Sequence, residues 1–191
     1  AGGVQLRGGD TIHASKAVIS NASVWDTLKL LPEGAVPDEW KEEKQATKQC
    51  ESFMHLHLGI DATDLPEDLE IHHIVVNDWD LGIDAPQNLV LVSIPSVLDP
   101  SLAPPGKHVI HAYTPGSEPY DIWEGLDRKS PEYKALKEER SQVLWRAVEK
   151  AIPDVRKRVE IEMVGTPLTC ARFLRRDRGT YGGYGWLGGE G

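Results

Sequence analysis

FMHLHLGI, at residues 53–60, has the strict two-residue alternation of a strand with one buried side. One side of it carries Met54, Leu56, Leu58 and Ile60, and the other carries Phe53, His55, His57 and Gly59. Because a slip of one residue would exchange the two sides, this pattern specifies the register of pairing. We expect the strand to belong to a sheet to which the rest of the chain is attached.

Four further runs have the composition of strands. They cover residues 70–76, 89–94, 108–113 and 159–164, and most are β-branched and bounded by Pro, Gly, Asp or Asn. The sequence therefore predicts an α+β (mixed α/β) fold with one large sheet, mostly antiparallel or mixed, that is flanked by helices. A small hairpin at residues 4–13 and a short buried strand at residues 17–20 are predicted before it.

Helix signals are clearest at four places. Ser23 and Asp26 have the spacing of a capping box, which predicts a helix to about Leu31. Residues 37–48 form a second candidate helix with a charged face. Ser130 and Pro131 suit the start of a long helix that ends near residue 152, and residues 166–167 suit the start of a short one. Residues 183–191 are rich in glycine and are expected to form a mobile tail.

Composition excludes several classes of protein. The net charge of −9 argues against a nucleic-acid-binding surface, because the basic cluster at residues 172–178 is short and interrupted by Asp177. Cys50 and Cys170 are far apart in sequence, so neither a disulfide framework nor a zinc site is indicated, and a reducing compartment fits. No apolar run reaches the roughly 18 residues of a membrane-spanning helix.

Ala1 stands where an initiator Met would, so we expect the chain to be part of a larger protein.

The histidines raise the hypothesis of a metal site. His55 and His57 share one side of a predicted strand, and His72 and His73 follow on the next. No Asp, Glu or Cys stands beside them at ligand spacing, and histidines in sheets commonly make hydrogen bonds or line a cavity. We therefore favour a structural role, then cavity lining, and predict no metal.

Other catalytic motifs are absent from the printed sequence. No serine stands in G-x-S-x-G, and the glycine-rich matches to a dinucleotide loop lie in the tail without a following helix. From the residues alone, the chain is a mixed α/β domain without a recognisable catalytic set.

Four segments carry a family resemblance. They are GTPLTCARFLRRDRGTYG at residues 165–182, IHHIVVNDW at 71–79, SIPS through LAPPGKHVIHAYTP at 93–115, and WEGLD at 123–127. Together they resemble the plant and cyanobacterial carotenoid isomerases, or prolycopene isomerases, of the phytoene-desaturase-like and amine-oxidase-like flavoproteins. The resemblance runs from about Gly3 to Gly182, and Cys170 stands where a His is common in the family.

The resemblance implies a domain organisation around FAD. Residues 1–22 would be a hairpin and crossover strand of the flavin domain, residues 23–165 the substrate domain, residues 166–182 a return segment toward the flavin domain, and residues 183–191 the tail. Ser20, Asn21 and Ala22 would lie near the cofactor. The family's main flavin-binding segments, one upstream and one downstream, have no counterpart in the printed sequence.

The implied activity is the conversion of poly-cis-lycopene into all-trans-lycopene with no net redox change, by reduced FAD, in the plastid. The implied partners are a carotenoid substrate and a membrane surface contacted peripherally, without nucleic acid. The side of residues 53–60 with Met54 would form one wall of a substrate tunnel, and a stripe at Val24, Trp25, Leu28 and Leu31 would face the membrane. Three alternatives stay open: a polyene or retinoid saturase or desaturase, a relative of bacterial amine oxidases, and a non-catalytic fragment.

Overall fold

The computed structural model describes residues 2–182. The chain divides into two compact units, between Ala46 and Thr47. The predicted tail at residues 183–191 lies outside the described residues, and the domain boundaries taken from the resemblance stay predictions.

The first unit contains a hairpin and two helices. Strands β1 (Gly3–Gln5) and β2 (Thr11–His13) pair antiparallel, with Val4 opposite Ile12, which confirms the predicted hairpin. Helices α1 (Val24–Leu30) and α2 (Asp38–Ala46) follow and contact each other, within a few residues of their predicted bounds. At the start of α1, Ser23 Oγ accepts the backbone N–H of Asp26 at 3.1 Å and donates to its carboxylate at 2.5 Å.

Two expectations for this unit are wrong. Residues 17–20 are not a strand, and Ile19 among them is 92% exposed. A strand needs a neighbour for its backbone N–H and C=O groups, and within the described residues β1 and β2 pair only with each other. The stripe on α1 is also not an outward-facing surface, because Leu28 at its centre is buried.

The second unit is built on a five-stranded sheet. Its strands are β3 (His55–Asp61), β4 (His72–Val76), β5 (Leu89–Ser93), β6 (Lys107–Tyr113) and β7 (Val159–Gly165). Their order across the sheet is β4-β5-β6-β3-β7, and all neighbours are antiparallel. The predicted strands of this sheet and the predicted α+β class are confirmed, and β3 lies between β6 and β7.

The helices of this unit are α3 (Pro131–Ala151), α4 (Val155–Arg158) and α5 (Pro167–Leu174), with short 3-10 turns at Pro95–Val97, Pro100–Leu102, Asp121–Trp123 and Asp177–Gly179. Two of the three helices, α3 and α5, begin where the sequence predicts, and the short α4 was not predicted. Ser130 caps α3 by accepting the N–H of Tyr133 at 3.1 Å. Thr166 and Thr169 form a reciprocal capping box at the start of α5.

The core lies between the sheet and α3. This helix packs against β3, β5 and β6, and its Leu144 and Val148 are fully buried. The apolar side of β3 and the preceding Met54 are buried in the same cluster, with Met54, Leu56 and Ile60 at 0% exposure and Leu58 at 3%. The expectation that these four side chains line a substrate tunnel is therefore wrong, because α3 occupies the space above them.

Hydrogen bonds hold residues 179–181, after α5, beside residues 50–52, just before β3. Ser52 donates its hydroxyl to the carbonyl of Gly179 at 2.6 Å, and Thr180 donates to the carbonyl of Cys50 at 2.6 Å. The Tyr181 N–H continues the contact by donating to the carbonyl of Glu51 at 3.0 Å. These bonds keep Tyr181 beside the sheet.

A buried ion pair joins α3 to the loop after β6. Glu118 is fully buried and accepts two bonds from Arg140, at 2.9 Å from Nε and 2.8 Å from Nη2. The indole N–H of Trp123 donates to the same carboxylate at 3.1 Å. Because three donors share it, this carboxylate is well compensated for its burial.

Candidate functional site

The side of the sheet opposite α3 is the candidate site, and we call it the open face. It carries alternate residues of all five strands: Ile74, Leu91, Val109, His111, Tyr113, His55, His57, Ile161 and Met163. The exposed fractions of Ile74, Ile161 and Met163 are 70%, 60% and 59%. Large apolar side chains gathered on one exposed surface are unusual in a folded domain and point to a binding function.

A groove runs along one edge of the open face, between the sheet and α5. Its cavity volume is about 490 Å³, and its lining includes His55, His57, Met163, Cys170, Phe173 and Leu174. Phe173 and Leu174, on α5, are 69% and 55% exposed. The groove is therefore mostly apolar, with two imidazoles, one thiol and the side chain of Thr169 as its polar groups.

Three histidines meet beside this groove. His55 and His57 are two residues apart on β3, so their side chains share one side of the strand. The pairing of β3 with β6 places His111 directly opposite His57. The rings of His57 and His111 stack 4.3 Å apart and 2° from parallel, and His55 Nδ1 lies 3.0 Å from His111 Nε2.

These imidazoles are uncharged at neutral pH. Burial, followed by the neighbouring His111 and His57, lowers the pKa of His55 to about 3. Burial and His57 lower the pKa of His111 to about 4, and burial also lowers the pKa of His57. Since protonated rings this close would repel one another, the cluster adds hydrogen-bonding groups to the open face without adding charge.

Cys170 extends the cluster toward α5. Its Sγ lies 3.5 Å from Nε2 of His55. The His55 ring therefore contacts the Cys170 thiol through Nε2 and the His111 imidazole through Nδ1. Burial raises the pKa of Cys170 to about 11, which keeps the sulfur in its thiol form at neutral pH. The sulfur is therefore a hydrogen-bonding partner here and not a nucleophile.

Aromatic rings continue from the histidines to the end of β6. Tyr113 stacks on His111 with 4.7 Å between ring centroids, and Tyr181 stacks on Tyr113 at 6.2 Å. Phe53 contacts His55 and Tyr181 edge to face, at 3.7 and 5.0 Å. The result is a continuous aromatic surface along one side of the open face.

The other residues singled out from the sequence lie elsewhere. His72 and His73 are not in the cluster: His72 Nδ1 pairs with the Ser93 hydroxyl, and His73 Nε2 donates to the Glu70 carbonyl, each at 3.0 Å. Ser20, Asn21 and Ala22 are exposed residues of the first unit, and the Ser20 hydroxyl pairs with that of Thr27 at 2.7 Å. Their contact with a cofactor stays a prediction.

His111, Cys170 and Tyr181 were not candidates from the sequence. Nothing in the alternation of residues 108–113 reveals which strand lies beside them, and His111 is 56 residues from His55. The one available signal was the two-residue alternation of each strand. His111 falls on the less apolar side of its strand, as His55 and His57 do on theirs.

Comparison with known proteins confirms the family resemblance. Over 182 residues, 94% of the chain, it is 42% identical to prolycopene isomerase 2, chloroplastic, of an Oncidium hybrid cultivar. Over the same length it is 40% identical to the Arabidopsis thaliana prolycopene isomerase and 38% identical to that of Daucus carota, both also named chloroplastic. The chain spans about 30% of the length of these curated relatives.

Two other comparisons add little. No protein-family model matches the chain. A crystal structure of an oxidoreductase from Methanosarcina mazei has a TM-score of 0.48 with 17% sequence identity, covering 82% of this chain and 32% of that one. A likeness this weak carries no argument about function.

Proposed function

We propose that this chain forms the polyene-binding part of a flavin-dependent carotenoid isomerase that converts poly-cis-lycopene into all-trans-lycopene. The similarity to three prolycopene isomerases over nearly the whole chain supports this proposal. The observation that carries it is the open face, an exposed apolar and aromatic surface on the five-stranded sheet.

The chemistry of the open face suits a polyene. Such a hydrocarbon has no group that can donate or accept a strong hydrogen bond, so its contacts must come from apolar and aromatic surface. Ile161, Met163 and Phe173 offer that surface and are more than half exposed. A charged site would lose solvation energy when covered by a hydrocarbon, whereas the neutral histidines lose less.

The strands give the open face its rigidity. His57 and Met163 are direct neighbours across β3 and β7, and His57 and His111 are direct neighbours across β3 and β6. Side chains in paired strands stand at fixed spacing, so a rod-like ligand lying across them meets side chains at regular intervals along its length. We propose that this sheet orients the polyene while its double bonds rotate.

The cofactor in this proposal is FAD, which in its reduced form would supply electron density to the polyene. Ser20, Asn21 and Ala22 are exposed and offer one edge of a flavin site, not an enclosing cradle. In their role here they would contact the cofactor through the Asn21 amide and backbone groups, since the Ser20 hydroxyl already pairs with Thr27.

Location and membrane contact follow the relatives. The matched isomerases are named chloroplastic, which supports a plastid location for this chain. None of the helices in the described part of the chain is both long and apolar enough to cross a bilayer. We propose peripheral contact with the membrane, because a hydrocarbon substrate partitions into lipid.

Binding of poly-cis-lycopene to the purified chain tests the proposal. The polyene is added from detergent micelles, and its visible absorption and induced circular dichroism are followed. Met163→Lys and Ile161→Lys place a charge on the open face at exposed positions, so we expect them to weaken binding at least about tenfold, as about 1.4 kcal/mol would.

Leu98→Lys is the matched control. Leu98 is 78% exposed in the proline-rich loop between β5 and β6, so it shares size and exposure with the open-face positions but not their location. Equal polyene binding by all three lysine variants and the unchanged chain would overturn the proposal.

A further inference from the structure

We propose that His55, His57 and His111 form a binding site for one divalent transition-metal ion, with Zn²⁺ as the ion that best suits the ligands. Each residue offers one ring nitrogen, and the three nitrogens lie within 4.8 Å of one another. The inference goes beyond the proposed function and does not depend on it; a bound ion would place charge on the open face, so metal and polyene are expected to compete for it.

The distances between the ligands are close to those a metal needs. Zn–N bonds of about 2.0–2.1 Å in a tetrahedral site place two ligand nitrogens about 3.3 Å apart. Nδ1 of His55 and Nε2 of His111 are 3.0 Å apart, where they share a hydrogen bond. Replacing the shared proton by a metal ion therefore needs only a few tenths of an ångström of widening between these rings.

The third ligand stands on the same rigid support. His57 is two residues from His55 on β3 and directly opposite His111 on β6. Paired strands hold the three Cα atoms in place, so only ring rotations are needed to bring the nitrogens onto one ion. His57 is the exposed member of the group and has the most freedom to turn.

Cys170 supplies an outer partner. Metal-bound histidines usually donate the second ring N–H to a neighbouring acceptor, which fixes the ring and its tautomer. With Nδ1 of His55 on the metal, its Nε2–H points to Sγ of Cys170, 3.5 Å away. The thiol thus orients a ligand and is not one itself.

The donor set narrows the choice of ion. Three neutral imidazoles without a carboxylate suit Zn²⁺, Co²⁺, Ni²⁺ or Cu²⁺ and disfavour Ca²⁺ and Mg²⁺. Because His55 and His57 also line the groove of about 490 Å³, a fourth ligand such as water has room beside them. Three protein ligands and one exchangeable position are the arrangement of metal sites that react or exchange, not of closed structural sites.

The test is a titration of the full, untagged chain with Co²⁺, followed by its visible absorption, with Zn²⁺ then added in competition. We expect one Co²⁺ per chain, with bands of a four- or five-coordinate nitrogen site that disappear as Zn²⁺ displaces it. His57→Asn and His111→Asn should each weaken binding by at least about 100-fold, since loss of an outer partner alone costs about 10- to 100-fold.

The controls are His13→Asn and His72→Asn, because both residues are exposed and outside the cluster. Binding in these variants should match that of the unchanged chain. Circular dichroism is used to check that each variant is folded. His57→Asn should disturb the fold least, because His57 is exposed. The proposal is overturned if no Co²⁺ binds, or if the control variants lose binding as much as the cluster variants.

Discussion

Gly165 lies directly opposite His55 in the pairing of β7 with β3, and a Cβ at Gly165 would be 3.4 Å from Cδ2 of that imidazole. The missing side chain therefore gives the His55 ring its space beside β7. In this position the ring reaches His111 on one side and Cys170 on the other.

Gly165→Val should displace the His55 ring. The two extra methyl groups would occupy the space that the imidazole now fills, whereas the single methyl of Gly165→Ala would make only ordinary contact. We expect the imidazole NMR signals of His55 and His111 to shift in the valine variant. Signals unchanged in Gly165→Val would show that the ring does not depend on this gap.

Acid should destabilise the chain through the histidine cluster. His55 and His111 have pKa values of about 3 and about 4 when folded, against an ordinary value of 6.5. An unfolded chain therefore binds protons at a higher pH than the folded chain does. Their stabilising contribution is complete above about pH 6.5 and is lost as the pH falls toward 4 and then 3.

The measurement is the midpoint of urea unfolding at several pH values between about 7 and about 4. His111→Gln should flatten the dependence, because it removes one of the histidines whose pKa is lowered in the folded chain. His72→Asn serves as the matched change outside the cluster and should leave the slope as it is. A slope that is the same in His111→Gln and the unchanged chain would contradict this assignment.

Glu118→Gln should destabilise the fold strongly. The change removes the negative charge of Glu118, whose Oε2 lies 2.8 Å from Nη2 of Arg140. The Glu118 side chain has no solvent exposure. Removing one partner of a buried pair leaves the other uncompensated and costs about 3–5 kcal/mol. Urea unfolding should show this loss. Glu160→Gln, in the exposed pair with Lys107, should change stability little, and similar losses in both variants would argue against the buried pair.

Leu56→Ala and Met163→Ala should separate the two sides of the sheet. Leu56 has no exposed surface and packs in the core, so its truncation should cost about 2–5 kcal/mol of unfolding free energy. Met163 is 59% exposed on the open face and should cost much less. Polyene binding should respond in the opposite sense, with the larger loss in folded Met163→Ala. A large stability loss in Met163→Ala would mean that the open face is part of the core.

Much of the architecture could be predicted from local sequence. The five strands follow from alternation and β-branched runs, and the helices that start after Ser23, Ser130 and Thr166 follow from their capping side chains. These signals are reliable because each depends on residues within one turn or one strand of each other. The strand predicted at residues 17–20 does not form, because an apolar composition does not supply a pairing partner and the described residues contain none for this segment.

The sequence by itself determined which side of β3 is apolar, where the helices begin, and which family the chain resembles. Only the tertiary structure decided that α3 covers the side with Leu56, which leaves the side with His55 open. It also decided that His111 and Cys170 stand beside His55, since pairing of β3 with β6 and the return of α5 bring together residues far apart in the chain. The physical reason is that alternation fixes the two sides of a strand, whereas its neighbours are set by how the whole sheet excludes water from one core.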